Sequence, residues 1–154
     1  MRKRLRERLK TTLSADALSK VYSSFDIVGD IAIIKAPDNP SDAQTIAEQI
    51  MATHKNVKTV LSQTSPVKGS YRIRELTLLA GEDKTVTQYK EAGCTFAVDV
   101  KRCYFSPRLN HERLRIASQV APCEKVINMF AGVGCFSVLI AKTAPYTEVY
   151  SIDI

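Results

Sequence analysis

Residues 125–136, which read Lys-Val-Ile-Asn-Met-Phe-Ala-Gly-Val-Gly-Cys-Phe, constrain the fold more than any other part of the chain. An apolar run precedes a glycine-rich turn and then apolar residues at helical spacing, which indicates a buried strand, a tight turn and a helix. Pro145 marks a loop before a second apolar run. The pattern predicts a βαβ unit with a strand over 125–130, a helix over 135–143 and a strand over 148–153.

The turn has the features of a nucleotide-type cofactor site. Gly132 and Gly134 lack the Cβ that would keep a ligand away from the backbone, and the following helix starts with unpaired N–H groups. Asp153 lies 21 residues after Gly132, at the end of the second strand, where a carboxylate can accept hydrogen bonds from ribose hydroxyls. The alternative is a turn that only lets the helix pack against its strand.

Ser137, which follows the turn, restricts which class of cofactor the turn can bind. Ser137 stands where a dinucleotide fingerprint has its third glycine, which disfavours a nicotinamide dinucleotide. An adenosyl ligand without a pyrophosphate remains compatible with the sequence. No Gly-x-x-x-x-Gly-Lys-Ser/Thr motif is present, so a P-loop is excluded.

The chain divides into three predicted parts. Residues 1–22 form a basic helical segment, with leucines at nearly helical spacing and Ser14 as an internal cap. Residues 23–104 have the strand and helix pattern of a small α+β domain. Residues 105–154 begin the cofactor-binding domain, with the boundary predicted near 100–107.

Within the small domain, the Gly29-Asp30 pair between apolar runs predicts a hairpin or a bulged strand. A helix is predicted from a cap at Ser41 to His54, because apolar residues recur there with helical period. Pro107 introduces another helical pattern up to Ser118. Further strands are predicted over residues 57–61, 71–79, 86–89 and 94–100.

Composition and charge set broad limits on function. The chain of 154 residues is 45% hydrophobic and 25% charged, as in soluble globular proteins. It has neither a long apolar span nor a signal-peptide core, which predicts a cytoplasmic protein. The net charge of +6 favours a polyanionic partner. The basic N-terminus either contacts phosphates or is a solvated terminus.

The four cysteines form no CxxC pair, and the chain has only two histidines. We therefore expect neither a metal site nor a disulfide framework. Cys94 alternates with Phe96, Val98 and Val100, which is the pattern of a small buried side chain on a strand.

The glycine turn and the residues upstream of it are similar to motifs of one enzyme family. Residues 128–137 resemble the first cofactor motif of the tRNA guanine-37 N1-methyltransferases, which use S-adenosylmethionine. Residues 104–113, Tyr-Phe-Ser-Pro-Arg-Leu-Asn-His-Glu-Arg, resemble a second family motif. Shorter resemblances lie at residues 71–75, 79–82 and 89–91.

The resemblance implies an α/β fold, in which a small α+β domain precedes the first βαβ unit of a Rossmann-like class I methyltransferase domain. It also implies S-adenosyl-L-methionine as cofactor, tRNA as partner and methyl transfer to N1 of guanine-37. No protein partner is expected.

Methylation at N1 of guanine requires removal of the N1 proton and stabilisation of the negative charge that moves toward O6. By resemblance, Glu112 is the general base and Arg72 stabilises this charge, with Arg74 as the alternative. The resemblance places five residues at the cofactor: Tyr104, Phe130, Gly132, Gly134 and Asp153. Without it, Glu112 would be assigned to a solvated helix face, Arg72 to the polar face of a strand, and Tyr104 and Phe130 to the core.

Two nearby arginines have open roles. Arg108 and Arg113 either steer tRNA phosphates or hold Glu112 in its ionised form. The sequence does not separate these alternatives.

The chain departs from the family pattern in two ways. Cys135 begins a helix where proline is common in the family. The family's catalytic domain also continues through more strands and an Asn-Pro-Pro-type motif that are absent here. The resemblance thus implies an N-terminal portion that is inactive alone, with an unpaired sheet edge and an exposed apolar face.

Three other functions are compatible with parts of the sequence. An aminocarboxypropyl transferase of wybutosine biosynthesis would use the same cofactor, but the presence of Arg72 and Glu112 favours methyl transfer, which requires removal of the N1 proton. A non-catalytic tRNA-binding module is a second alternative. A nicotinamide-dependent oxidoreductase is disfavoured by Ser137.

Overall fold

The N-terminal segment contains two short helices in the computed structural model, α1 (Leu5–Leu9) and α2 (Ala15–Ser19). Ser14 Oγ accepts a hydrogen bond from the Ala17 N–H at 3.2 Å, which confirms the predicted internal cap. Residues 1–4 of the predicted basic segment lie outside the described residues. The structure describes residues 5–19, 21–22, 24–65 and 74–153.

A four-stranded sheet forms the centre of the small domain. In spatial order its strands are β1 (Asp26–Val28), β2 (Ile31–Ile34), β3 (Thr59–Gln63) and β4 (Leu76–Gly81). Antiparallel β1 and β2 form the predicted hairpin, with Gly29 in the left-handed region at φ +58°. β2 and β3 are parallel, whereas β3 and β4 are antiparallel. The first part of the strand predicted over 71–79 lies outside the described residues.

Helix α3 (Pro40–Thr53) packs on this sheet and connects β2 to β3. Asn39, not Ser41, is its N-cap, since Asn39 Oδ1 accepts hydrogen bonds from the Ser41 N–H at 2.9 Å and the Asp42 N–H at 3.4 Å. The prediction of a Ser41 cap is wrong because Pro40 takes the first helical position. The buried positions of α3 are Ala43, Ile46, Ala47 and Ile50.

Strands β5 (Val86–Glu91) and β6 (Cys94–Asp99) pair only with each other among the described residues. This hairpin packs against the β1–β2 turn, where the Asp30 carboxylate accepts hydrogen bonds from Thr87 Oγ1 and Lys84 Nζ, both at 2.7 Å. A Cβ at Gly29 would lie 2.2 Å from Thr87 Oγ1. The glycine therefore allows the hairpin to approach the sheet closely.

The C-terminal part begins with a 3₁₀ turn (Pro107–Leu109) and helix α4 (Asn110–Ala117). It continues with β7 (Lys125–Met129), α5 (Cys135–Thr143) and β8 (Glu148–Ile152). β7 and β8 are parallel, so the predicted βαβ unit is confirmed.

Among the described residues, helix α5 covers one face of the β7–β8 sheet and nothing covers the other. Ile127 pairs with Tyr150 and Met129 pairs with Ile152, so the four side chains share a face, and each is more than half exposed. On the other face, Val126 and Val149 pack against the α5 cluster of Leu139 and Ile140. The uncovered face is a contiguous apolar surface.

One buried cluster connects the sheet, the β5–β6 hairpin and the βαβ unit. It contains Val28 and Ile31 from the sheet, Val98 from the hairpin, and also Phe105 and Cys135. The sheet, the hairpin and the βαβ unit thus share a core, and the domain boundary near 100–107 stays a prediction. Across the described ranges, no helix has the length and apolar character needed to cross a membrane.

Candidate cofactor and base-binding site

The turn between β7 and α5 has three residues in the left-handed region: Phe130 at φ +64°, Gly132 at +56° and Gly134 at +78°. Glycines adopt this conformation without cost, whereas for a residue such as Phe130 it costs on the order of 1–3 kcal/mol. An ideal Cβ at Gly132 or Gly134 would meet no atom within 4 Å. The turn therefore faces open space that a ligand can enter.

A cavity of about 170 Å³ lies beside this turn. It brings together Tyr104, Phe130 and Gly132, which the family resemblance assigns to one ligand, and Leu109 and Arg113 also line it. Phe130 is 84% exposed and Tyr104 is 42% exposed. These two rings are accessible to a ligand, so the assignment of both to the core is not supported.

Asp153 lies against the glycine turn. Its Oδ2 accepts a hydrogen bond from the backbone N–H of Gly132, and Ala131 N–H donates to the carbonyl of Ile152 at 3.0 Å. The end of β8 is thereby fixed beside the turn. An exposed carboxylate in this position has the geometry to bind hydroxyl groups of a ligand.

Ser137 joins the three elements of the βαβ unit. Its Oγ lies 2.8 Å from Asn128 Nδ2 on β7 and 2.6 Å from Ser151 Oγ on β8. The third glycine of a dinucleotide fingerprint permits close helix–strand packing, whereas here a buried hydroxyl holds the helix to both strands. Neither Asn128 nor Ser151 was identified from the sequence, because only the fold reveals that they meet.

Glu112 is exposed on α4, next to the helix positions that line the cavity. Its carboxylate accepts two hydrogen bonds from Arg115, 2.8 Å from Nε and 2.6 Å from Nη2. The hydrogen bond from Arg115 lowers the pKa of Glu112 below its ordinary value of 4.5. Arg115, one turn along the helix, therefore holds this carboxylate in its ionised form.

Arg113 has neither of the roles considered for it in the sequence. Only 3% of it is exposed, and its guanidinium donates to Glu91 Oε2 and, at 2.7 Å, to the carbonyl of Ser106. The guanidinium also lies 5.0 Å from the centroid of the Phe105 ring. A buried arginine with these partners fixes the loop before α4 to the β5–β6 hairpin, and it cannot reach a tRNA phosphate.

Cys135 begins α5 and is buried in the shared core, where burial raises the pKa of its thiol to about 11. The thiol stays protonated near neutral pH and therefore packs as a small apolar group. The sequence departure from proline at this position leaves the glycine turn intact.

Of the two candidate arginines for charge stabilisation, the structure describes only Arg74. Arg72 lies outside the described residues, so its role stays a prediction. Arg74 lies just before β4 and lines a groove with Arg108, whose Nε donates to Asp26 Oδ1 at 2.8 Å. Neither Arg74 nor Arg108 lines the cavity beside the glycine turn.

Two family profiles together match nearly the whole chain. A profile described as the TYW2 N-terminal domain matches residues 5–85, and one described as the TRM5/TYW2 methyltransferase domain matches residues 87–154. The second match contains the cavity beside the glycine turn and Glu112.

Curated relatives and solved structures agree with these profiles. The tRNA (guanine(37)-N(1))-methyltransferase Trm5b of Pyrococcus abyssi is 46% identical over 133 residues, which are 86% of this chain and 40% of the relative. The tRNA 4-demethylwyosine(37)-methyltransferase Taw21 of Saccharolobus solfataricus is 42% identical over 136 residues, which are 87% of this chain and 52% of the relative. The chain thus spans about half the length of these relatives, or less.

Among solved structures, the complex of aTrm5 with tRNALeu superposes with a TM-score of 0.86 at 37% identity, covering 100% of this chain and 46% of that chain. Pyrococcus horikoshii TYW2 in complex with MeSAdo superposes with a TM-score of 0.69 at 32% identity, covering 97% of this chain and 52% of that chain. These likenesses agree with the α/β fold predicted from the sequence. The chain belongs to the TRM5/TYW2 family of methyltransferases.

Proposed function

We propose that this chain is the part of a tRNA (guanine-37-N1)-methyltransferase that binds the cofactor and carries the general base. The observation that carries the proposal is the cavity in which Tyr104, Phe130 and Gly132 meet beside α4, the helix of Glu112. The names of the similar proteins support the substrate and the reaction. Such an enzyme would act on tRNA in the cytoplasm.

The residues at the glycine turn fit S-adenosyl-L-methionine. The accessible rings of Tyr104 and Phe130 can attract its sulfonium by cation–π interaction. The open backbone at Gly132 and Gly134 leaves room for the ligand, and the carboxylate of Asp153 can accept hydrogen bonds from the ribose. When bound, this cofactor supplies an electrophilic methyl group.

The chain's own residues then accept the N1 proton of the guanine and stabilise the negative charge that its removal leaves. Glu112 accepts the N1 proton, and its ion pair with Arg115 keeps it ionised before the base arrives. A guanidinium stabilises the negative charge that moves toward O6, and we assign this role to Arg72, with Arg74 as the alternative.

A modified guanine is the second candidate substrate. Taw21, which is 42% identical to this chain, acts on 4-demethylwyosine at position 37 according to its name. Both substrates would use the same cofactor cavity and require the same methyl group. The distinction therefore depends on which base binds next to Glu112.

A hybrid enzyme tests the proposed function. Residues 1–154 would be joined to the part of Pyrococcus abyssi Trm5b that follows its matching segment, and transfer of labelled methyl groups to tRNA would be measured. We expect methylation at N1 of a guanine-37 transcript and none when adenine replaces that guanine. A hybrid that binds S-adenosylmethionine but methylates only tRNA carrying 4-demethylwyosine would support the second substrate instead. A folded hybrid without activity on either tRNA would contradict both.

A further inference from the structure

The groove lined by Arg74 and Arg108 lies at the end of the sheet where β2 and β3 finish and β4 begins. Ile34 pairs with Ser62, and Gln63 pairs with Leu76, so the residues just beyond these pairs come together at one edge. Arg108, from the segment before α4, joins them. The groove is lined by Tyr22, Phe25, Lys35, Gln63, Arg74 and Arg108, among others.

The charge of this groove is predominantly positive. Asp26 is the only acidic side chain that lines it within the described residues, and it accepts a hydrogen bond from Nε of Arg108. The Arg108 side chain remains 66% exposed, so its terminal amino groups are accessible. Lys35 and Arg74 form no ion pair with a described residue, which leaves both charges available for an anionic ligand.

An aromatic ring accompanies these charges. Tyr22 is 57% exposed, and Lys35 Nζ lies 5.6 Å from its ring centroid. The groove continues past this ring into a second cavity, which Tyr22, Lys35 and Gln63 also line. An exposed ring between cations is the arrangement on which unpaired bases stack while their phosphates are neutralised.

We propose that this groove binds a single strand of RNA, with a base stacked on Tyr22 and phosphates bound by Lys35, Arg74 and Arg108. The groove adjoins the cofactor cavity, because Arg108 lines the first and Leu109 lines the second. A strand bound here would continue toward Glu112. The proposal depends on the proposed function only for the identity of the strand as part of tRNA.

Direct binding to the full 154-residue chain tests this, in the absence of cofactor. Fluorescence anisotropy would follow a labelled uridine oligonucleotide of about 12 nucleotides at several salt concentrations. The variant Lys35→Gln/Arg74→Gln should bind roughly tenfold more weakly, and the salt dependence should fall by about 0.7 per lost phosphate contact. Lys90→Gln/Lys125→Gln removes the same charge outside the groove and should bind nearly as the parent chain does.

Two further variants separate binding from loss of fold. Tyr22→Leu should weaken binding roughly tenfold, whereas Tyr22→Phe keeps the ring and should bind normally. Asp26→Asn releases Arg108 and should strengthen binding, a result that a damaged fold does not give. The proposal is overturned if the two double variants weaken binding equally, or if Tyr22→Leu binds as tightly as the parent chain.

The result is independent of methyl transfer. A hybrid enzyme without activity, combined with groove-dependent RNA binding, would contradict the proposed function and leave the groove assignment standing. If the hybrid enzyme methylates tRNA normally but the groove variants bind RNA as the parent chain does, the proposed function stands and the groove assignment is contradicted.

Discussion

Glu112 and Arg115 lie one turn apart on α4, and both hydrogen bonds between them are charge-assisted. A base that is already ionised can accept a proton without first releasing one. The same pairing makes the carboxylate a weaker base, because Arg115 stabilises its charged form. At the scale of single residues, Arg115 therefore shifts the pH range over which Glu112, as the proposed base, is ionised.

The first residue-scale prediction concerns this pH range. Arg115 lowers the pKa of Glu112, so Arg115→Gln should return that pKa toward its ordinary value of 4.5. Glu112 then becomes protonated at a higher pH, and the acid limb of the kcat/KM profile of the hybrid enzyme should move upward. Arg115→Lys should move it less. An acid limb that does not move would remove Glu112 from the base role or Arg115 from its control.

Replacing Glu112, the proposed base, tests the chemistry more directly. Glu112→Gln cannot accept the N1 proton, so kcat of the hybrid enzyme should fall by roughly 10²–10⁴-fold. The dissociation constant for S-adenosylmethionine, measured by calorimetry, should change little because Glu112 does not line the cavity beside the glycine turn. Glu124→Gln, an exposed change elsewhere on the chain, serves as the control. Unchanged turnover would contradict the assignment.

Asp153 should affect binding rather than turnover. Asp153→Asn weakens the proposed acceptor of ribose hydroxyls, and we expect cofactor affinity to fall about tenfold, as for a lost hydrogen bond to a charged group. Glu148→Gln, at the other end of β8, should leave the affinity unchanged. An Asp153→Asn variant with the parent dissociation constant would exclude the ribose contact.

At the scale of elements, the β5–β6 hairpin connects the small sheet to the βαβ unit. Its contacts include the Thr87–Asp30 hydrogen bond on one side and the buried Glu91–Arg113 ion pair on the other. Lys142 on α5 also donates to the carbonyl of Ala92 in the hairpin turn at 3.0 Å. The hairpin therefore fixes the loop before α4 and, with it, the position of Glu112.

Two glycines offer a matched test of this packing. Gly29 and Gly132 have nearly the same φ, +58° and +56°, but a Cβ meets Thr87 Oγ1 at 2.2 Å in the first case and nothing within 4 Å in the second. Gly132→Ala should cost about 1–2 kcal/mol for the backbone alone, whereas Gly29→Ala adds overpacking of about 1–3 kcal/mol. Urea unfolding of both variants measures the difference. Equal losses would show that the hairpin can move away from the sheet.

The sequence predicted elements best where the pattern was local. The bounds of β7, α5 and β8 differ from their predicted ranges by one residue at most, because the apolar run, glycine turn and helix period are all contained in the segment itself. The burial of Arg113 was not predictable, since its partner Glu91 lies 22 residues away on another element. The Asn39 cap was missed because Ser41 and Asn39 are both good caps and only Pro40 decides between them.

The same reasoning applies to the site. Tyr104 and Phe130 were placed together by resemblance to a family, and their meeting in one cavity depends on the turn between β7 and α5. The groove beside Tyr22 had no local signature in the sequence. Its charged side chains come from four separate segments, which contain Asp26, Lys35, Arg74 and Arg108. Composition indicated only that a polyanion would be the partner.

At the scale of the whole molecule, the uncovered β7–β8 face distinguishes this chain from a closed domain. Its four apolar side chains are each more than half exposed: Ile127, Met129, Tyr150 and Ile152. The chain alone should therefore bind a hydrophobic dye such as anilinonaphthalene sulfonate and associate with itself as concentration rises. Light scattering and dye fluorescence would measure both.

Ile127→Thr/Tyr150→Thr should reduce dye binding and association while keeping strand-forming residues on β7 and β8. The hybrid enzyme should also bind less dye, because we expect the segment added from the relative to cover this apolar face. Equal dye fluorescence in the chain, the double variant and the hybrid would show that this face is not the source.

The close approach of Gly29 to Thr87 also matters for recombining members of this family. The two family profiles meet between residues 85 and 87, at the start of β5, which makes this an inviting crossover point for exchanging N-terminal segments. A crossover there would place the sheet of one parent against the hairpin of another. Exchanges that keep Gly29, Asp30 and Thr87 from a single parent should therefore yield folded chimeras more often than exchanges that divide them.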